Sequence, residues 1–262
     1  VSELDFDGIG LDFVEGKKTF ELISENGFAD GKILFAGAVN GKNIWKNNYE
    51  RTLDLTARLK AKGIETVLST SCSLLHVPYT LKNETKLPQK YLAHFAFAEE
   101  KLLELAELKL LSETDYTNEN LYKANIALHQ NRPDCNDPAV KKRVASIKES
   151  DFTRLPASDE REKIQKKEFS LPLFPTTTIG SFPQTADVKA NRTAFRKSSI
   201  TEQEYIEFNR KKIAECVKMQ EETGLDVLVH GEFERADMVE YFGEQLNGYL
   251  FTEKAWGQSY GT

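Results

Sequence analysis

The 262-residue sequence predicts an α/β protein made of the end of one (β/α)8 TIM-type barrel, a helical linker and the start of a second (β/α)8 barrel. Three observations lead there. Short, nearly continuous apolar runs alternate with amphipathic stretches through residues 1–112, the rhythm of parallel strands joined by helical crossovers. The same rhythm restarts near residue 173, after a charged, proline-punctuated stretch. Neither run holds enough strands to close, and a parallel barrel removes its sheet edges only by closing.

The elements follow in order. Leu4 to Phe13 is apolar around Gly8 and Gly10, and Lys17 to Asn26 reads as a short helix closed by Gly27. Lys32 to Val39 (KILFAGAV) has the composition of a strand buried on both faces. From Tyr49 to Lys62 apolar residues recur at helical spacing (Leu53, Leu55, Leu59), with Gly63 at the C′ position. Thr66 to Ser69 is another short strand. Tyr91, Phe95, Ala98, Leu102 and Leu105 step by fours and threes, which predicts one amphipathic helix started by Pro88.

Residues 113–172 carry charge clusters (Lys141-Lys142-Arg143, Glu160-Arg161-Glu162-Lys163, Lys166-Lys167-Glu168) and Pro133, Pro138, Pro156 and Pro172. They read as a helical, solvent-exposed connector between a first barrel part at 1–112 and a second at 173–262. In the second part, Thr176 to Ile179 is a β-branched strand stopped by Gly180-Ser181-Phe182-Pro183. A helix follows from the capping box Thr201-x-x-Glu204 to Gly224, and Leu225 to Val229 is the next buried strand.

Composition narrows the function classes. Hydrophobic residues at 40% and charged residues at 29% fit an ordinary soluble globular chain. A net charge of -6 without a dense basic patch argues against a nucleic-acid partner. No apolar run is long enough to span a bilayer, so no membrane partner is expected. Three scattered cysteines, Cys72, Cys135 and Cys216, form no disulfide framework and suit a reducing compartment, with the cytoplasm as the expected location. A start at Val1 without Met suggests that residue 1 is not the natural beginning. No G-x-G-x-x-G follows a strand, which leaves a dehydrogenase unsupported.

Ligand-binding groups of α/β barrels sit at the C-terminal ends of strands. One such end is Ile179-Gly180-Ser181, where backbone N–H groups and a hydroxyl can cradle a carboxylate, and where a plain glycine turn fits equally. The other is His230-Gly231-Glu232, whose acid is placed to meet an ammonium or a metal. Glu234, Arg235 and Asp237 beyond it read as a structural ion-pair network. His230-x-Glu232 alone is too small a set for zinc, which takes three or four ligands. Cys216, among Ile213, Val217 and Met219, reads as a buried apolar residue. Ser71-Cys72-Ser73-Leu74-Leu75-His76 offers a Cys–His pair, but no orienting carboxylate or oxyanion hole accompanies it.

Several of these stretches resemble the cobalamin-independent methionine synthases. Phe174-Pro175-Thr176-Thr177-Thr178-Ile179-Gly180-Ser181-Phe182-Pro183-Gln184-Thr185 is similar to the opening strand of their catalytic barrel. Asp226 to Glu232 and Asp237 to Glu244 resemble its second strand and the loop behind it. Ala38 to Trp45 and Ser71 to His76 resemble the closing strands of their amino-terminal barrel.

The resemblance implies methyl transfer from a 5-methyltetrahydropteroyl polyglutamate to homocysteine, giving methionine, with zinc and without cobalamin. A zinc-bound homocysteine sulfur is favoured as thiolate, and general acid catalysis assists departure of the folate nitrogen. Carried over by position, Ile179, Gly180 and Ser181 hold the amino-acid end of homocysteine or methionine, with Glu232 on its ammonium. The zinc ligands and most folate contacts are expected downstream of Thr262, the run Trp256 to Thr262 leading into a folate-contacting loop. No catalytic residue and no metal ligand is therefore assigned in this segment, and the segment alone is expected to be inactive. The competing reading is a non-catalytic binding or scaffold fragment.

Overall fold

Parallel strand pairing organises the first part of the chain in the computed structural model, which describes residues 5–133 and 137–255. Cys135 and the run 256–262 lie outside the described residues. The chain divides into two units, Val1–Cys135 with Leu250–Thr262, and Asn136–Tyr249.

In the first unit β1 (Gly8–Asp12), α1 (Thr19–Asn26), β2 (Ile33–Val39), α2 (Tyr49–Ala61) and β3 (Thr66–Thr70) follow the predicted rhythm. The strands form one parallel sheet in the order β1-β2-β3, with Gly8 opposite Ile33 and Leu34 opposite Thr66. Asn48 caps α2 by accepting from Arg51 N at 3.1 Å, and Gly63 follows the helix at φ 74°. Leu34 and Ala36 on one sheet face pack with Ile23 and Leu59. On the other face Gly37 and Val39 are buried, as expected of a strand covered on both sides, but the face is open at Phe35. Phe35 and its registered neighbour Val67 are each 43% exposed, because three strands cannot curl round to cover them.

The single helix expected over 91–105 is two helices. α3 (Gln89–Leu92) stops early, and α4 (Ala98–Ser112) starts afresh after Phe95 forms an antiparallel bridge with Trp45. Pro88 precedes α3 in extended conformation rather than starting a long helix. Glu100 accepts from Phe97 N and Leu81 N at 3.2 Å and from Thr80 Oγ1 at 3.0 Å, tying the new helix start to the preceding loop. Leu102 consequently faces solvent, while Lys101, Glu104, Leu108 and Leu111 are buried.

α5 (Asn120–Gln130) docks on α2 through Asn125, which accepts from Tyr49 N at 3.0 Å and donates to Asn47 O at 2.9 Å. The segment 250–255 also belongs to this unit. Buried Glu84 receives Glu253 N at 2.7 Å and Lys254 N at 2.8 Å.

The second unit begins with α6 (Pro138–Ala145) and α7 (Ser158–Phe169), both almost wholly exposed. α8 (Ala186–Arg196), α9 (Glu202–Thr223) and α10 (Met238–Glu244) follow. The predicted capping box opens α9, with Glu204 N donating to Thr201 Oγ1 at 3.2 Å and Thr201 N to Glu204 Oε2 at 2.8 Å. Val188, Cys216 and Phe233 form the core with Phe182, Phe208 and Ile213 around them. Cys216 is thus the buried apolar residue its helix position predicted, and burial pushes its thiol pKa up.

Thr176–Ile179 and Leu225–Val229 run alongside each other but do not form the expected strand ladder. One parallel bridge, Ser181 with Gly231, joins their ends. Buried Gln220 takes both main-chain groups of Val229: its amide accepts from Val229 N at 2.9 Å and donates to Val229 O at 2.7 Å.

Candidate functional site

The two extended segments are locked together at both ends. At the entry, Thr176 N and Oγ1 donate to Asp226 Oδ2 at 2.7 and 2.8 Å, and Val227 N donates to Thr176 O at 3.0 Å. These bonds hold the Asp226 carboxyl below its ordinary pKa, so it stays an acceptor. At the exit, Phe182 N donates to Gly231 O at 2.9 Å beside the Ser181–Gly231 bridge.

The chain then turns sharply. Gly231 and Glu232 are consecutive left-handed residues at φ 87° and 59°, and Gly180 across from them sits at φ 106°. A left-handed non-glycine residue costs roughly 1–2 kcal/mol, so the surroundings over-determine Glu232. The turn brings the Glu232 carboxylate back over the other segment. A Cβ on Gly180 would stand 2.9 Å from Glu232 Oε1, and one on Gly231 would stand 2.6 Å from the Phe233 ring. Only glycine at 180 therefore lets the acid reach this place.

Of the sequence-predicted residues, Gly180, Ser181 and Glu232 are brought together, whereas the Ile179 side chain is 92% exposed. Glu234, Arg235 and Asp237, expected as an ion-pair network, do not pair with one another and each has a different partner. Arg235 Nη2 contacts Glu232 Oε2 directly, with both side chains less than one-fifth exposed (18% and 19%). His230 Nε2 meets Glu234 Oε1 at 2.8 Å, and Asp237 caps α10 by accepting from Glu240 N at 2.9 Å. A cavity of about 580 Å³ opens between α8, α9, α10 and the 234–237 segment, lined by Arg192, Asn209, His230, Glu234, Arg235 and Tyr241 among others, with Gly180, Ser181 and Glu232 outside its lining. The arrangement sets a carboxylate held by Arg235 against a glycine turn.

Sequence reasoning did not single out Arg192 and Gln184. Both lie on the loop and helix after the first extended segment, and no spacing signal ties them to residues 40 to 50 positions later. In the first unit, the Ser71–His76 run serves the loop: Ser71 Oγ accepts from Gly41 N at 3.1 Å and Ser73 Oγ from Leu75 N at 3.2 Å. Among the described residues no three of His, Cys, Asp and Glu gather as a metal site, and no helix is long and apolar enough to cross a membrane.

Comparison with known proteins adds independent findings. Residues 1–63 match the family described as the cobalamin-independent synthase N-terminal domain, and residues 174–262 match its catalytic domain. The chain is 55% identical over 260 residues to a Campylobacter jejuni subsp. doylei protein named 5-methyltetrahydropteroyltriglutamate–homocysteine methyltransferase, covering 99% of this chain and 34% of that protein. A Campylobacter jejuni subsp. jejuni protein of the same name is 56% identical over 260 residues, with the same coverage of 99% and 34%. One from Lactococcus lactis subsp. lactis is 52% identical over 264 residues, covering 100% of this chain and 34% of the relative. The chain therefore spans about one third of the length of the curated relatives it matches.

Proposed function

We propose, from the premise that this chain belongs to the cobalamin-independent synthase family, that it is part of an enzyme transferring a methyl group from a 5-methyltetrahydropteroyl polyglutamate to homocysteine. In this reading, 1–112 closes an amino-terminal (β/α)8 barrel, 113–172 is the helical connector, and 173–262 opens the catalytic barrel. The setting is cytoplasmic, and the partners are homocysteine or methionine and the folate.

The observation that carries the reading is the Glu232 carboxylate folded over Gly180 at the exit of two parallel segments. An α-amino acid placed there offers its ammonium to Glu232 and its carboxylate to the backbone of Ile179, Gly180 and Ser181 and to the Ser181 hydroxyl. The exposed Ile179 side chain is no obstacle, since its part is played by main chain. Arg235 holds the same carboxylate, so the ammonium shares or replaces an existing cation rather than meeting a bare buried charge. Zinc belongs to the family reading, but the described residues do not fit it as ligands. Its donors are placed downstream of Thr262, and this chain's own contribution is to bind and orient the methyl acceptor.

The test is methyl transfer by the polypeptide that carries this chain. With zinc, homocysteine and methyl-labelled 5-methyltetrahydropteroyltriglutamate, and with no cobalamin added, label is expected in methionine. Folded, zinc-loaded protein that turns over neither substrate would overturn the assignment.

A further inference from the structure

We propose that Arg192, on α8, is a positioning residue that holds the Glu232 carboxylate in place for a substrate ammonium. The inference rests on the reading of Glu232 given above.

One guanidinium nitrogen does most of the holding. Arg192 Nη2 lies 2.6 Å from Gln184 Oε1, 2.9 Å from Phe233 O and 3.1 Å from Arg235 O. Gln184 in turn donates from Nε2 to Glu232 O at 3.4 Å. The carbonyls of 233 and 235 and the Gln184 amide oxygen therefore converge on Arg192 Nη2, and Gln184 links the carbonyl of 232 to the same group. Three oxygens pointing into one place repel unless a cation sits among them, and a guanidinium stays charged at any working pH.

Among the described residues the bracket bonds through Nη2 alone. Arg192 Nε is buried and has no hydrogen-bond partner among the described residues. Its base is rigid, because Val188, one turn earlier on α8, is buried beside Phe233 and Cys216. The bracket acts on both sides of the acid: it fixes the backbone that carries Glu232 at φ 59°, and it fixes the carbonyl of Arg235, whose guanidinium contacts Glu232 Oε2. Loss of Arg192 leaves the charge of Glu232 intact and frees its direction.

The test compares homocysteine with 4-mercaptobutanoate, the same thiol acid without the ammonium, in the polypeptide that carries this chain. Arg192→Lys is expected to raise KM for homocysteine about tenfold, to leave kcat within about threefold, and to leave the competitive Ki of 4-mercaptobutanoate unchanged. Glu232→Gln is expected to erase the same preference for homocysteine, and the double variant to add little to it. Gln184→Leu, which removes one tether and leaves Arg192 its two carbonyls, is expected to give about a threefold loss with the same selectivity. If the Arg192 and Gln184 variants weaken both ligands equally, or neither, while Glu232→Gln still erases the preference, the role of Arg192 is wrong and that of Glu232 stands. If Glu232→Gln itself keeps the preference, the reading of Glu232 falls and the inference with it.

Discussion

Glu232→Gln is expected to weaken homocysteine binding by about 2–5 kcal/mol, roughly 30-fold or more, while leaving zinc content of the intact polypeptide unchanged. Glutamine keeps the size of the side chain and one acceptor oxygen, so the turn at 231–232 need not move. What disappears is the negative charge that an ammonium requires, and Arg235 is left facing a neutral amide. Gly180→Ala approaches the same site from the opposite side. It adds a methyl group 2.9 Å from Glu232 Oε1 on a residue at φ 106°, where L side chains are strained. The acid must then swing away, and homocysteine affinity is expected to fall about tenfold or more without any change of charge. Titration calorimetry measures both variants. Unchanged affinity in Glu232→Gln would refute the ammonium contact, and unchanged affinity in Gly180→Ala would show that the carboxylate acts from elsewhere.

The second large effect is a pH dependence of stability in the first unit. Glu104 is 1% exposed, and its Oε2 has no hydrogen-bond partner among the described residues. Burial raises its pKa from 4.5 to about 7, against the lowering effects of the Asn47 N–H bond at 2.8 Å and of Lys101 and Lys46. The unfolded chain titrates this acid near its ordinary value. Between about 4.5 and 7 the folded form consequently binds more protons, and stability falls as pH rises through that window. Above 7 the cost of an ionised, enclosed carboxylate is complete, on the order of 3 kcal/mol. Buried Lys101, whose pKa burial lowers, titrates with the opposite slope, so a variant must isolate the acid.

Glu104→Gln does so, because it keeps the acceptor for Asn47 N and cannot ionise. Urea unfolding at pH 5 and pH 8 is expected to show the variant gaining about 2–3 kcal/mol on the parent between the two. A gap that stays constant with pH would mean that the carboxyl keeps one charge state throughout.

The sequence by itself determined what local chemistry controls. Apolar runs and helical spacing placed β2, α2 and β3, and the reciprocal bonds of Thr201 and Glu204 placed the start of α9. Each of these rests on groups a few residues apart, so composition and spacing are sufficient signals. The candidate site stood out in part for a related reason: glycine and acid stand just beyond two apolar segments, where a barrel exposes strand ends. A plain glycine turn fits the first as well, and the resemblance to the family supplied the substrate roles.

Only the tertiary structure decided the rest. The stepping of Tyr91, Phe95, Ala98, Leu102 and Leu105 satisfied a helix, yet Phe95 pairs with Trp45 fifty residues earlier and the helix breaks. No signal in the sequence marks Lys101 and Glu104 as buried, and they are enclosed because α2, α4 and the 43–47 loop close over them. Gln220 takes both main-chain groups of Val229, and Arg192 gathers the carbonyls of 233 and 235. For Phe95, Lys101, Glu104 and Arg192 a polar group meets its partner only after distant segments have packed. Its role is then set by the low-dielectric surroundings that packing creates, and no spacing along the chain encodes it.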